Sequence, residues 1–138
     1  MLIHSEQEML EYGEKFAATL VAPAVIELIG DVGAGKTTFT RGLAKGLGVQ
    51  AELSSPSFTI SREYCGEKYT LVHYDFYRLE DPGLMAEDLA ETIYDPNIIT
   101  VIEWGQSIKD ILPQNHVTIE IKYIDENTRE ITQEWNSI

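Results

Sequence analysis

Hydrophobic positions in the first third of the chain follow a helical spacing, then a strand-like run, and then a helical spacing again. The first set lies three or four residues apart, as on one face of a helix: Met9, Tyr12, Phe16 and Leu20. Ser5 to Glu8 has the form of a capping box that would begin this helix, and Pro23 would end the segment. Residues 24–29 form a short apolar, β-branched run that predicts a strand. A second helix is predicted by apolar residues four positions apart: Phe39, Leu43 and Leu47.

Shorter apolar runs in the second half of the chain predict further strands and one short helix. The predicted strands span 58–64, 68–74, 97–102, 117–121 and 129–134, and the helix spans 86–93. Gly66 would turn the first two of these strands into a hairpin. The run at 97–102 is apolar, as in a strand buried on both faces, whereas 117–121 alternates between apolar and polar residues. The pattern predicts an α/β fold with a mixed, mainly parallel sheet and antiparallel additions.

Composition narrows the class of protein. The chain has 138 residues, enough for one domain with a proper core, and no apolar run approaches the roughly 18 residues of a membrane span. No signal-peptide pattern is visible and Cys65 is the one cysteine, so a cytoplasmic location is expected. The formal net charge of −13 argues against unaided binding to nucleic acid. Such acidity suits docking onto a basic protein surface, although it also serves solubility alone.

The segment between the first predicted strand and the second predicted helix has the form of a phosphate-binding loop. It reads Gly30-Asp31-Val32-Gly33-Ala34-Gly35-Lys36-Thr37, a complete G-x-x-x-x-G-K-[ST] motif. Glycines let backbone N–H groups turn toward an anion, Lys36 supplies a charge for the β- and γ-phosphates, and the Thr37 hydroxyl can ligate Mg²⁺. We therefore predict a P-loop NTPase-like three-layer sandwich in which residues 1–138 form a single nucleotide-binding domain.

Two acidic residues follow apolar strands and are candidates for metal ligands. Asp75 and Glu103 each stand at a strand's carboxyl end, the Walker B arrangement in which a carboxylate reaches Mg²⁺ directly or through water. Asp75 could instead cap a turn, and Glu103 could form a salt bridge to Arg78. His73 shares a strand face with Asp75 and is expected to pack beside the site or support it. Trp104 follows Glu103 and is either a core or a partner-contact residue.

The Ser- and Pro-containing loop that follows the second predicted helix is a candidate switch. Ser57 and Thr59 offer hydroxyl groups at a place where switch proteins often sense the γ-phosphate. A plain loop without such a role fits the spacing equally well.

Taken in order, these segments resemble the TsaE family of small bacterial P-loop ATPases of tRNA threonylcarbamoyladenosine (t⁶A) synthesis. The resemblance rests on four motifs: Gly30 to Thr37, Ser55 to Thr59, His73 to Leu79, and Ile102 to Trp104. It implies an Mg²⁺-dependent ATPase that is slow alone and works with the TsaB and TsaD proteins, so that tRNA is met only through the complex. ATP hydrolysis would support the modification of adenosine 37 in tRNA.

The resemblance also assigns roles to residues. It implies phosphate contacts from Gly30 through Thr38, with Lys36, Asp75 and Glu103 in the catalytic centre. Mg²⁺ would be held by Thr37, Glu103 and, directly or through water, Asp75. The adenine would lie near Glu6 and near Thr128 or Arg129.

Three other functions compete with this interpretation. A GTPase would need an Asn-Lys-x-Asp motif, and the chain has no Asn-Lys pair. A small-molecule kinase would close an arginine-rich lid over the phosphates, but the four arginines are scattered along the chain. A nucleotide-sensing assembly subunit, which docks and releases partners, overlaps with the family role.

Overall fold

The structure is a computed structural model, and it describes residues 1–31, 33–50, 61–76, 84–104, 111–113 and 115–135. The helices are α1 (Glu6–Ala17), α2 (Lys36–Gly46) and α3 (Leu84–Thr92). The strands are β1 (Leu2–Ile3), β2 (Ala24–Ile29), β3 (Ser61–Cys65), β4 (Thr70–Asp75), β5 (Ile98–Glu103), β6 (Val117–Asp125) and β7 (Thr128–Trp135). Within these ranges no helix is long and apolar enough to cross a membrane.

All seven strands form one mixed sheet in the order β1-β7-β6-β2-β5-β4-β3. The four central strands, β6, β2, β5 and β4, run parallel, while β3 and the β7–β1 pair add antiparallel strands at the two edges. The strand before the phosphate loop, β2, is therefore central, with β5 on one side and β6 on the other. This arrangement confirms the predicted α/β class and the predicted hairpin of β3 and β4 around Gly66.

The helices lie on opposite faces of the sheet and make three layers. On one face α1 and α2 bury the larger apolar cluster, which includes Phe16, Phe39 and Leu28. On the other face Leu89 of α3 and Ile93, which follows the helix, pack over β4 and β5 in a smaller cluster. Phe39 is fully buried, so its replacement by alanine should cost about 3–5 kcal/mol of stability.

A close crossing of α1 and α2 fixes the helix that begins at the phosphate loop. A side chain at Gly42 of α2 would overlap the backbone carbonyl of Leu10 in α1, and one at Gly13 would lie 2.5 Å from the carbonyl oxygen of Phe39. Glycine is therefore required at both positions because the backbones touch there. The contact holds the middle of α2 directly against α1.

The ends of α1 differ in part from the prediction. The Ser5 hydroxyl accepts the Glu8 N–H at 3.0 Å, as in a capping box, but the Glu8 carboxylate accepts the N–H of His4. The helix ends at Ala17, well before Pro23, because the Thr19 hydroxyl and N–H both bond to the Phe16 carbonyl. The two-residue β1 was not predicted, since so short an apolar segment carries no periodicity.

Candidate nucleotide site

The phosphate loop connects β2 to α2 and takes a backbone shape that only glycine adopts easily. Gly33 and Gly35 have φ angles of 85° and 111°, and Gly35 is the N-cap of α2. The first turn of α2 contains no acidic residue, so the positive end of the helix dipole is not offset by a carboxylate. Both features favour an anion at this position. Val32 lies outside the described residues.

The side chain of Lys36 turns into the protein and meets Glu103. Its ammonium nitrogen lies 3.4 Å from Glu103 Oε1, and both side chains are more than nine-tenths buried. The other carboxylate oxygen of Glu103 lies 2.5 Å from Nε2 of His73. Lysine and glutamate are seldom buried unless they are paired, so the three side chains form one polar cluster at the strand ends. Arg78, the alternative salt-bridge partner of Glu103, lies outside the described residues.

The cluster keeps Glu103 ionised. Burial alone would raise the pKa of its carboxyl group, but the hydrogen bond and charge of His73 and the ammonium of Lys36 outweigh burial. The pKa of Glu103 is therefore lowered from its ordinary value, and the group is a carboxylate at neutral pH. The remaining ring nitrogen of His73, Nδ1, is buried and has no hydrogen-bond partner within the described ranges.

Asp75 and Glu103 are brought side by side. They are partners in the register of the parallel strands β4 and β5, so their side chains leave the same face at the same edge of the sheet. Thr37 is exposed in the first turn of α2, next to Lys36. Its hydroxyl and the two carboxylates are the oxygen ligands that Mg²⁺ prefers.

The donor set suits a metal that is shared with a substrate. Among the described residues no group of three or more His, Cys, Asp or Glu side chains could hold a metal ion alone. Mg²⁺ usually keeps several waters and binds through one or two carboxylates plus substrate phosphates. The residues present therefore fit Mg²⁺ that enters with a nucleotide.

Trp104 stands directly after Glu103 and covers the lysine. The Lys36 nitrogen lies 4.2 Å from the centre of the Trp104 ring, within the range of a cation–π contact. Trp104 has a φ of 56°. In the described ranges it is the one non-glycine residue with a positive φ. This uncommon backbone conformation places the indole over Lys36 of the loop. Trp104 remains 37% exposed there.

Two cavities flank the loop on opposite sides. The first, which we call the hairpin cavity, has a volume of about 420 Å³. It lies between the start of α1, the loop and the β6–β7 turn, and it is lined by Ile3, Ser5, Glu6, Met9, Gly33, Gly35, Thr38, Glu126, Asn127 and Arg129. The predicted adenine contacts Glu6 and Arg129 thus lie in one cavity with loop residues. Thr128 is not among the described residues that line it.

Arg129 ties the β6–β7 turn to the loop. Its Nε donates to the carbonyl of Ala34 at 3.1 Å, and its Nη1 donates to the carbonyls of Asp125 and Thr128. The guanidinium also lies 4.5 Å from the centre of the Tyr123 ring. Arg129 therefore supports the shape of the loop in addition to lining the cavity, a role that sequence spacing did not reveal.

The second cavity, which we call the sheet-face cavity, has a volume of about 470 Å³. It is lined by Glu27, Leu28, Ile29, Gly30, Asp31, Lys36, Trp104, Glu120, Ile121, Lys122 and Tyr123. The sequence analysis missed Glu27, because it lies inside an apolar run. Its carboxylate is buried, accepts the Thr118 hydroxyl at 3.3 Å and lies 3.8 Å from Nε2 of His116.

The structure brings most of the predicted residues to one edge of the sheet. Gly30, Asp31, Lys36 and Trp104 meet at the sheet-face cavity, while Gly33, Gly35, Thr38, Glu6 and Arg129 meet at the hairpin cavity. Ala34 is buried within the loop between them. The predicted switch residues, Ser57 and Thr59, lie outside the described residues.

Comparisons with known proteins point to one family. The family model described as threonylcarbamoyl adenosine biosynthesis protein TsaE matches residues 3–131. A protein of Bacillus subtilis named tRNA threonylcarbamoyladenosine biosynthesis protein TsaE is 42% identical over 120 residues, which are 86% of this chain and 74% of that relative. A protein of the same name from Haemophilus influenzae is 36% identical over 129 residues, covering 90% and 82% of the two chains.

A solved structure agrees with these matches. The crystal structure of Bacillus subtilis YdiB superimposes with a TM-score of 0.83 and 33% identity, covering 99% of this chain and 84% of that one. The shared architecture is a P-loop NTPase fold, with its phosphate loop at the carboxyl end of the central strand β2. The family model, the two relatives and the fold agree, and the chain belongs to the TsaE family of threonylcarbamoyladenosine biosynthesis proteins.

Proposed function

We propose that the protein binds ATP with Mg²⁺ and hydrolyses it in support of t⁶A formation in tRNA. The observation that carries the proposal is the buried contact between Lys36 of the phosphate loop and Glu103 at the end of β5. It sets the cation expected for phosphates beside a carboxylate expected for the metal. The phosphate loop offers a site for the phosphates of a nucleotide, and the hairpin cavity beside it offers a place for the base.

Lys36 and Glu103 exchange partners when the nucleotide enters. The phosphates offer Lys36 more negative charge than one carboxylate does, so its ammonium turns toward the β- and γ-phosphates. Backbone N–H groups of the loop and the first turn of α2 hold the same phosphates. Glu103, Thr37 and Asp75 are the residues that would hold Mg²⁺ there. When bound, Mg²⁺ neutralises the charge that develops on the phosphates during transfer to water.

His73 keeps the Glu103 carboxylate oriented during this exchange. Its Nε2 stays on one carboxylate oxygen, which leaves the other oxygen to part from Lys36. A carboxylate that is already oriented by a hydrogen bond loses less side-chain conformational entropy when it binds a cation. Hydrogen-bonded pairs of histidine and carboxylate orient the ligands of other metal sites in the same way. We assign His73 a positioning role, not a catalytic one.

The activity of the protein alone should be weak. Many P-loop enzymes need an arginine that stabilises the charge of the transition state. Among the described residues, Arg129 is the one arginine that lines either cavity, and its Nε and Nη1 are engaged with backbone carbonyls. A cation supplied by a partner would make hydrolysis partner-dependent.

The partners that the family resemblance implies are the TsaB and TsaD proteins, with tRNA met only through the complex. The net charge of −13 supports this arrangement, because an acidic surface does not neutralise RNA phosphates but does suit a basic protein surface. The proposal treats residues 1–138 as one nucleotide-binding domain that works in the cytoplasm.

Measured ATPase rates test the proposal. Hydrolysis is measured for the protein alone, with TsaB and TsaD, and with candidate small-molecule acceptors. We expect slow Mg²⁺-dependent hydrolysis alone, a faster rate with both partners, and no phosphorylated acceptor. An acceptor-dependent phosphorylated product would identify a kinase instead. Nucleotide binding without any hydrolysis, even with both partners, would identify a nucleotide-sensing assembly subunit.

A further inference from the structure

Ala34 of the phosphate loop is held by its side chain, its N–H and its carbonyl. The methyl group is 1% exposed and packs in the larger apolar cluster. The N–H donates to the carbonyl of Asp31, in the same loop, at 3.0 Å. The carbonyl accepts Nε of Arg129 at 3.1 Å, from a residue 95 positions away in the chain. The direction of the Ala34 carbonyl therefore depends on a side chain from outside the loop.

The Ala34 carbonyl shares a peptide unit with the N–H of Gly35. This unit is trans, so the carbonyl and the N–H point in opposite directions. Because the carbonyl points toward Arg129, the Gly35 N–H points away from it. Gly35 is the N-cap of α2, and its N–H has no hydrogen-bond partner within the described ranges. This N–H is therefore a donor for an anion at the start of the helix.

Arg129 is itself held firmly by the β6–β7 turn. Its Nη1 donates to the carbonyl of Asp125 at 2.6 Å and to that of Thr128 at 3.0 Å. The guanidinium also lies 4.5 Å from the centre of the Tyr123 ring. Since a guanidinium is planar with donors in fixed directions, these contacts also set the direction of Nε. A lysine has one ammonium on a flexible stem and cannot bridge the turn and the loop in this way.

We propose that Arg129 is a positioning residue of the phosphate loop, which directs the Gly35 N–H toward the β- and γ-phosphates by holding the Ala34 carbonyl. Glycine tolerates both orientations of this peptide unit, so the loop sequence alone does not select one. In the opposite orientation the Ala34 carbonyl oxygen would face the phosphates and repel them. The inference rests on the proposed nucleotide site and adds a residue outside the motif that shapes it.

A conservative variant with a matched control tests this role. Arg129→Lys keeps the charge and loses the bridge, whereas Arg41→Lys makes the same change at an exposed position of α2. Titration calorimetry gives the affinity of each protein for ATP and for inorganic tripolyphosphate, which has the phosphate chain without a base. Arg129→Lys should bind both ligands about tenfold more weakly, because one directed N–H is lost from the loop. Arg41→Lys should stay within about twofold of the wild type for both.

Urea unfolding of the same proteins separates positioning from a merely structural role. A residue that only stabilised the fold would lower the urea midpoint and leave the affinity of the folded protein unchanged. We expect the loss of affinity in Arg129→Lys at urea-free conditions where the variant is fully folded.

A second measurement uses the wild type alone. In proton–nitrogen NMR spectra, tripolyphosphate should move the Gly35 amide proton downfield, as a new hydrogen bond to a charged oxygen does. The Nε–H of Arg129 should exchange with water more slowly than that of Arg41, both before and after tripolyphosphate is added, since it stays on the Ala34 carbonyl. This readout stands even if Arg129→Lys fails to fold.

The outcomes separate this inference from the proposed function. If the wild type binds neither ATP nor tripolyphosphate, the nucleotide site is wrong and the role of Arg129 falls with it. If the wild type binds both and Arg129→Lys binds them equally well, only the positioning role is overturned. If Arg129→Lys loses affinity for ATP but not for tripolyphosphate, Arg129 acts on the nucleoside instead, which also overturns it. A Gly35 amide that does not respond to tripolyphosphate would have the same meaning.

Discussion

Glu27 and Glu103 are two buried glutamates on neighbouring strands, and their surroundings differ. Both are less than one-tenth exposed, and each lies near a histidine. Glu103 contacts the ammonium of Lys36 as well and stands where β5 ends. Glu27 lies two residues before the end of β2, on the other face of the sheet, beside the hydroxyl of Thr118.

The difference teaches that burial alone does not make an acid part of a phosphate site. What distinguishes Glu103 is a lysine within 3.4 Å and a position at the strand end, where ligands bind in open α/β sheets. Glu27 has neither feature, and its carboxylate lies instead against the Thr118 hydroxyl and the ring of His116. Variants of Glu103 and His73 can be compared with matching variants of Glu27 and His116, and equal effects would contradict this distinction.

Lys36→Ala should have the largest effect. It removes the one loop cation, so affinity for ATP should fall at least about 100-fold, or about 2.7 kcal/mol, as measured by titration calorimetry. The control is Lys45→Ala on the same helix, whose ammonium is exposed and 3.8 Å from Glu14. An ATP affinity that stays unchanged in a folded Lys36→Ala protein would mean that the phosphates bind elsewhere.

The two histidines form the next test. His73→Ala removes the group that holds Glu103 from behind, so Mg²⁺-dependent kcat should fall about tenfold while nucleotide affinity without Mg²⁺ stays within about twofold. His116→Ala disturbs the surroundings of Glu27 and a hydrogen bond with the Pro113 carbonyl, and it should leave kcat within about twofold. Equal losses of kcat in the two variants would remove the distinction between the two sites.

The pH dependence of stability gives a smaller effect. Because His73 and Lys36 hold the pKa of Glu103 below its ordinary value of 4.5, its ionised form stabilises the fold above that pH. That contribution is lost as the pH falls through the lowered pKa. The unfolding free energy of the wild type should therefore drop more between pH 6 and pH 3 than that of Glu103→Gln. A difference between the two proteins that is constant over this range would contradict the lowered pKa.

Glu27→Gln should have the smallest effect. The amide keeps the shape of the side chain and can still accept the Thr118 hydroxyl, so stability should change by about 1 kcal/mol or less. Nucleotide affinity and the basal ATPase rate should stay within about twofold. A loss of basal activity comparable to that of Glu103→Gln would place Glu27 in the nucleotide site after all.

The sequence predicted Glu103 and missed Glu27 for a physical reason. A carboxylate that follows an apolar strand has a recognisable position, whereas one inside such a strand looks like an interruption. The partners of Glu27, Thr118 and His116, lie about ninety residues away, and only the pairing of β2 with β6 brings them near. Long-range register of this kind is not written in local periodicity.

The hairpin cavity is a second feature that depends on long-range pairing and that local sequence patterns did not predict. Glu6 and Arg129 come from opposite ends of the chain, and the pairing of β1 with β7 joins those ends. Local patterns indicated a helix start and a hairpin, but their meeting at the loop was expected only from the family resemblance. The order of helices and strands, by contrast, followed from hydrophobic spacing, because each element buries its own apolar face.

The most direct test of the central claim is the affinity of Glu103→Gln for ATP, measured with Mg²⁺ and again with a chelator. Wild-type protein should bind ATP more tightly when Mg²⁺ is present. Glu103→Gln should lose that gain, and without Mg²⁺ it should bind ATP as well as or better than the wild type, since Lys36 is released from its carboxylate partner. An unchanged response to Mg²⁺ in a folded Glu103→Gln protein would contradict the assignment of Glu103 to the metal.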